Sequence, residues 1–130
     1  MNAEQTVFVV DDDPAVGKAL SRLLRASGYT ARVFGSAQEF MNEYQPGTAG
    51  CLVADFSMPG INGLELQQWL ADSGLALPVL FVTGLDDIPD AVRATMTDGV
   101  VDILTKPVNP DQLLEAIQKA LALNQEAAKS

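Results

Sequence analysis

Five short apolar runs punctuate the chain, and each gives way to residues with helical spacing. Val7-Phe-Val-Val10 is continuously apolar, as expected for a strand buried on both faces. It ends in Asp11-Asp-Asp13-Pro14, where Asp13 suits an N-cap and Pro14 the first helical position. Val16, Leu20, Leu23 and Leu24 then follow helical spacing, and Gly28 stops the helix. Tyr29 to Phe34 reads as a second strand, with Ala31 and Val33 alternating against Arg32. Ser36-Ala-Gln-Glu39 has the form of a capping box and opens a short helix to about Tyr44. Cys51 to Asp55 is a third strand, closed by the Pro59-Gly60 break. Asn62-Gly-Leu-Glu65 starts a third helix, whose Leu66, Trp69 and Leu70 can face a core. Pro78 to Thr83 is a fourth strand, and a helix with a thin apolar face is expected from about Pro89 to Thr97. Val100 to Leu104 is a fifth strand. Asn109-Pro110 opens a last helix with the stripe Leu113, Leu114, Ile117 and Leu121. After about Asn124 the chain turns polar and small, as in a frayed end or the start of a linker.

Apolar strands alternating with amphipathic helices predict one α/β domain, a parallel sheet with helices on both faces. Ligands of such sheets bind at the carboxyl ends of the strands. The first strand ends in Asp11 and Asp12, the third in Asp55, the fourth in Thr83 and the fifth in Lys106. Three carboxylates, a hydroxyl and an ammonium are therefore expected along one edge.

Composition narrows the chemistry. The 130 residues are enough for one domain with a real core, and the 48% hydrophobic fraction argues against disorder. The net charge of −9 disfavours nucleic acid or an anionic membrane as a direct partner and suits a hard cation or a basic partner. One cysteine and no histidine exclude an internal disulfide, Ser-His or Cys-His nucleophile pairs and a histidine-based zinc site. With no signal peptide and no apolar run long enough to span a bilayer, a cytoplasmic domain is expected.

Three carboxylates in one pocket repel one another and call for a cation. All-oxygen ligands select a hard ion, Mg²⁺ before Ca²⁺, and Mg²⁺ commonly completes its shell with phosphate oxygens. Lys106 and Thr83 suit two phosphate oxygens. A carboxylate can itself be the nucleophile that forms an aspartyl phosphate. The pocket thus reads as a place to put a phosphoryl group on one aspartate beside Mg²⁺.

Val9-Val-Asp-Asp12, Asp55 with Met58-Pro-Gly60 and Gly63, Thr83-Gly84, Gly99 and Lys106-Pro107 stand in order along the chain. With them the chain resembles the receiver domain of a two-component response regulator, over residues 1–124. The wording from Ser57 to Leu66, with Val82-Thr-Gly84 and Gly99-Val-Val-Asp102, is most similar to the FixJ-like subgroup. The resemblance implies a doubly wound sheet of order 2-1-3-4-5 flanked by five helices. It implies that Asp55 accepts phosphate from the histidine of a sensor kinase, and that the domain is not an enzyme in its own right. Asp12, Asp55 and the Ser57 backbone carbonyl would ligate Mg²⁺, with Mn²⁺ able to substitute, and Asp11 would act through metal-bound water. Lys106 would bind the phosphate and its bond to Pro107 would be cis. Thr83 would be the switch residue, and phosphorylation would promote a homodimer. Residues 125–130 would begin a linker to a LuxR-type helix-turn-helix domain, the only part expected to touch DNA.

Three positions depart from the family pattern. Ile103 replaces the usual aromatic three residues before the lysine, so an inward-swinging ring is absent from the switch. Val100 stands where alanine is preferred, and Val108 where phenylalanine is common. Several residues have plainer readings: Asp13 as a cap, Cys51 as a core residue, Trp69 and Met96 as packing. Three other functions compete. Aspartate-nucleophile phosphohydrolases want an acid two residues after the nucleophile, where Ser57 sits, and carry the nucleophile on the first strand. A nucleotide-binding module wants a glycine-rich first turn, where Asp-Asp-Asp-Pro stands. A degenerate receiver would lack pocket residues that are all present here.

Overall fold

A computed structural model describes residues 5–58, 60–75, 77–94 and 99–129. In chain order the elements are β1 (Thr6–Val10), α1 (Pro14–Ala26), β2 (Thr30–Phe34), α2 (Ala37–Glu43), β3 (Gly50–Asp55) and α3 (Gly63–Asp72). They continue with β4 (Val79–Thr83), a 3₁₀ turn (Leu85–Asp87), α4 (Ile88–Ala94), β5 (Val100–Thr105) and α5 (Pro110–Lys129). The sheet runs β2-β1-β3-β4-β5 with every pairing parallel, as the resemblance implies.

Alternate strand residues point to opposite faces, so each apolar run feeds two cores. Phe8, Val10, Leu52, Ala54 and Phe81 join Phe34, Phe40, Leu66 and Ala91 beneath α2, α3 and α4. Val7, Val9, Cys51, Val53, Leu80 and Val82 join Leu24, Leu113 and Ile117 beneath α1 and α5. Continuous apolar strands are what a sheet covered on both faces requires.

The caps fix where the helices start. The Asp13 side chain accepts from the Ala15 N–H, and Ser36 from the Glu39 N–H. Asn62 and Glu65 form a reciprocal capping box at α3. Asn109 Oδ1 accepts from the N–H groups of Asp111 and Gln112 at the start of α5. Leu66 and Leu70 are buried, and Trp69 packs partly buried at the core margin.

α4 follows its sequence reading as far as it is described, and α5 does not. The 3₁₀ turn precedes α4, which begins at Ile88 and is described to Ala94; the expected end at Thr97 lies outside the described residues. α5 carries on past Asn124 to Lys129. Glu126, Ala127, Ala128 and Lys129 are good helix formers, so a polar composition did not end the helix. Asn124 is itself engaged: its Oδ1 accepts from the Gly50 N–H at 3.0 Å and from Gln5 Nε2 at 3.2 Å.

Candidate functional site

The parallel register carries the ends of β1, β3, β4 and β5 to one edge. Asp11 follows β1 directly, and its carboxylate is buried. Its Oδ1 accepts from the Asp13 N–H at 2.9 Å, so the turn that caps α1 also holds the carboxylate. Asp12 is exposed beside it. Asp55 ends β3 and is 6% exposed; its Oδ1 accepts from the Ser57 N–H at 3.2 Å.

Lys106 joins these ends. Its Nζ donates to Asp55 Oδ2 at 3.0 Å and lies 3.8 Å from Asp11 Oδ2. Its backbone N–H donates to the Thr83 carbonyl at 2.8 Å, which locks the end of β5 to that of β4. The Lys106–Pro107 bond is cis, as the resemblance implies. Thr83 is fully buried, and its hydroxyl donates to the Gly84 carbonyl at 3.2 Å.

Burial pushes the Asp11 carboxyl above its ordinary value. The Asp13 N–H and the Lys106 charge oppose that rise, while Asp55 and Asp12 add to it. Burial would lower Lys106, but the Asp55 hydrogen bond and the charges of Asp11, Asp55 and Asp12 outweigh it and raise the ammonium instead. Burial thus dominates the shift of Asp11, and the surrounding carboxylates that of Lys106.

The donor set fits a hard divalent ion. Asp11, Asp12 and Asp55 each offer a carboxylate oxygen, and these atoms lie within 4.8 Å of one another. Oxygen-only donors in an acidic pocket suit Mg²⁺. The Ser57 side chain is exposed at the same edge. Ile103 pairs in register with Phe81 and packs half-buried on the core that Ala91 of α4 joins. Thr83 lies two residues beyond Phe81, so Ile103 and Thr83 project from the same face.

One position named in the sequence motif, Gly63, has a packing role that the sequence reading did not give it. The Gly63 N–H donates to the Phe56 carbonyl at 2.9 Å, and a Cβ there would lie 2.9 Å from Phe56 Cα and 3.0 Å from the Phe81 ring. Phe56 and Phe81 meet edge to face, with ring centroids 5.2 Å apart. α3 therefore begins tight against the loop that leaves Asp55. The sequence marked Gly63 as a motif residue directly after a capping asparagine, without showing what it packs against.

Residues 7–118 match the family model described as response regulator receiver domain. The chain belongs to that family. It is 42% identical over 120 residues to response regulator protein TmoT of Ectopseudomonas mendocina, covering 92% of this chain and 54% of that protein. It is 37% identical over 130 residues to transcriptional regulatory protein FixJ of Bradyrhizobium diazoefficiens, covering all of this chain and 63% of FixJ. The structure of response regulator StyR superposes with a TM-score of 0.92 at 42% identity, covering 98% of this chain and 64% of that one. The chain thus spans just over half to just under two-thirds of these relatives. Among the described residues no helix is long and apolar enough to cross a membrane.

Proposed function

We propose that this receiver domain takes a phosphoryl group from the phosphohistidine of a sensor histidine kinase onto Asp55. One observation carries the reading: Lys106 Nζ sits 3.0 Å from Asp55 Oδ2 inside a cluster whose three carboxylates can share a cation. Asp12, Asp55 and the Ser57 carbonyl would hold Mg²⁺, with Asp11 acting through water; the ion supplies charge neutralisation for the phosphoryl oxygens.

An Asp55 oxygen attacks phosphorus in line with the imidazole nitrogen. The P–N bond breaks as the new O–P bond forms, its electron pair returns to the imidazole, and solvent supplies the proton. Lys106, bonded to Asp55 beforehand, is placed to follow the charge onto the phosphoryl group. Catalysis is positioning and neutralisation, within a cluster where one lysine faces three carboxylates.

Transmission follows the Thr83–Ile103 face. The Thr83 hydroxyl leaves the Gly84 carbonyl for a phosphoryl oxygen, and α4 and β5 repack around Ile103 by smaller shifts than a swinging ring would make. The surface of α4, β5 and α5 then favours a homodimer. The name of FixJ, a transcriptional regulatory protein, supports control of transcription, which would act through a segment beyond this domain.

The test is incubation with acetyl phosphate and Mg²⁺, followed by hydroxylamine, which cleaves acyl phosphates. One hydroxylamine-labile phosphoryl group that requires the cation supports the proposal. Continuous turnover of phosphate esters would instead identify a hydrolase, and no label a receiver that works without phosphorylation.

A further inference from the structure

α5 starts beside the candidate site and ends at the opposite edge of the sheet. Its first residue, Pro110, follows closely on Lys106 and the cis bond to Pro107. At the helical rise, Asn124 lies about 21 Å further along. Three side-chain hydrogen bonds gather at that far end. Asn124 Oδ1 accepts from the Gly50 N–H at 3.0 Å and from Gln5 Nε2 at 3.2 Å, and Gln5 Nε2 also donates to the Leu121 carbonyl at 3.0 Å. Leu121 itself is buried beneath the helix.

These bonds tie the helix end to the starts of two strands. Gly50 opens β3, and Gln5 directly precedes β1. The Thr6 N–H donates to the Ala49 carbonyl at 2.9 Å, so the two strand starts are also joined to each other. Residue 50 has to be glycine there, because a Cβ would collide with the Thr6 carbonyl oxygen. β1 and β3 are the strands that deliver Asp11, Asp12 and Asp55 to the other edge. None of the three bonds reaches β4 or β5, which carry Thr83 and Ile103. That half of the sheet has a break of its own. Val79 pairs with Val100 and Leu80 with Asp102, so Val101 is an extra residue in β5. Such a bulge interrupts the ladder locally.

A displacement travels through elements that have two arrangements and stops where bonds hold one arrangement. Moving the end of α5 would break three bonds at once and strand partly buried donors and acceptors. Moving α4 and β5 breaks none of them. We propose that Asn124 anchors the end of α5 to the half of the sheet that bears Asp55, and so isolates residues 121–129 from the switch. Phosphorylation then alters the surface of α4, β5 and the start of α5, while the helix end keeps its place against β1 and β3. Regulation acts through what that surface binds, and not through a swing of the helix end. The isolation from a switch rests on the phosphoacceptor reading; the anchor itself does not.

Hydrogen exchange of the 130-residue chain, read by mass spectrometry with and without beryllofluoride and Mg²⁺, is the test. Beryllofluoride imitates a phosphoryl group on a carboxylate. Exchange in residues 84–94 should change with it, and exchange in residues 121–129 should stay within about twofold. Asn124→Ala should speed exchange in residues 121–129 by about tenfold and make it respond to beryllofluoride. Asn124→Asp, which keeps an acceptor oxygen for the Gly50 N–H, should behave as wild type. If circular dichroism shows that Asn124→Ala does not fold, Gln5→Ala replaces it, since it removes two of the three bonds. A response of residues 121–129 in the wild type, or unchanged exchange there in the alanine variant, would overturn the proposal. No response anywhere in the wild type would fault the phosphoacceptor reading, and the alanine variant would still decide whether the anchor holds.

Discussion

The Lys106 ammonium donates a 3.0 Å hydrogen bond to Oδ2 of Asp55, across 51 positions of sequence. That bond ties the end of β5 to the end of β3 and leaves one cation serving two buried carboxylates. Lys106→Gln should lower stability in EDTA by on the order of 1 kcal/mol, kept small because the lysine side chain is one-third exposed. It should also slow labelling by acetyl phosphate by at least about tenfold. Urea melts and timed intact-mass spectra check the two effects.

Asp11 gives a prediction with a definite sign. A carboxyl whose native pKa is raised above its unfolded value holds its proton more tightly when folded. Its contribution to stability is therefore lost as pH rises from the unfolded value through the native one, and it stays lost above. Asp11→Asn keeps the acceptor for the Asp13 N–H and removes the charge. Without metal it should raise Tm at pH 7 and leave Tm near unchanged at a pH below the usual carboxylate range. A lower Tm at pH 7 would show that Lys106 outweighs burial.

Mg²⁺ should stabilise the wild-type domain. An ion that binds only the folded state contributes about 2.7 kcal/mol at roughly a hundred times its dissociation constant. Asp12→Asn should reduce that gain with little effect on stability in EDTA, because Asp12 is exposed. Thermal melts across a Mg²⁺ titration measure it, and an equal gain in the variant would remove Asp12 from the ligand set.

Gly63→Ala tests the support beneath the site. The added methyl meets Phe56 Cα at 2.9 Å, a backbone atom that cannot turn aside. A loss of about 1–3 kcal/mol is expected, with slower labelling of Asp55 because the loop after it shifts. Denaturant melts give the first and mass spectra the second.

Much of this was legible beforehand because each signal was local. Val7 to Val10 is apolar at every position, Asp13-Pro14 and Asn109-Pro110 mark helix starts, and strand-end chemistry follows once the sheet is parallel. The end of α5 was less legible. Asn124 is polar for a tertiary reason, its bond to the Gly50 N–H, and not because the helix stops there. The role of Gly63 was hidden for the same reason: its neighbours are Phe56, just past β3, and Phe81 of β4. Nor could pattern alone show that Lys106 lies 3.8 Å from Asp11 as well as bonding Asp55. Those distances depend on the register of β4 and β5, which has an irregularity between Val79 and Leu80.

The Thr83 hydroxyl is satisfied by the Gly84 carbonyl at 3.2 Å, so the proposed switch would require it to change partner. Thr83→Val keeps the volume and removes the hydroxyl. Labelling of Asp55 should stay within about threefold of wild type. The amide shifts that phosphorylation produces in residues 84–94 and 99–105 should largely vanish. Persistent shifts would place the trigger elsewhere.

The most direct test of the phosphoacceptor assignment is intact mass after acetyl phosphate and Mg²⁺, wild type against Asp55→Asn. One added phosphoryl group on the wild-type chain and none on Asp55→Asn is the predicted result. An equal adduct on both, or none on either while the chain is folded, would contradict it.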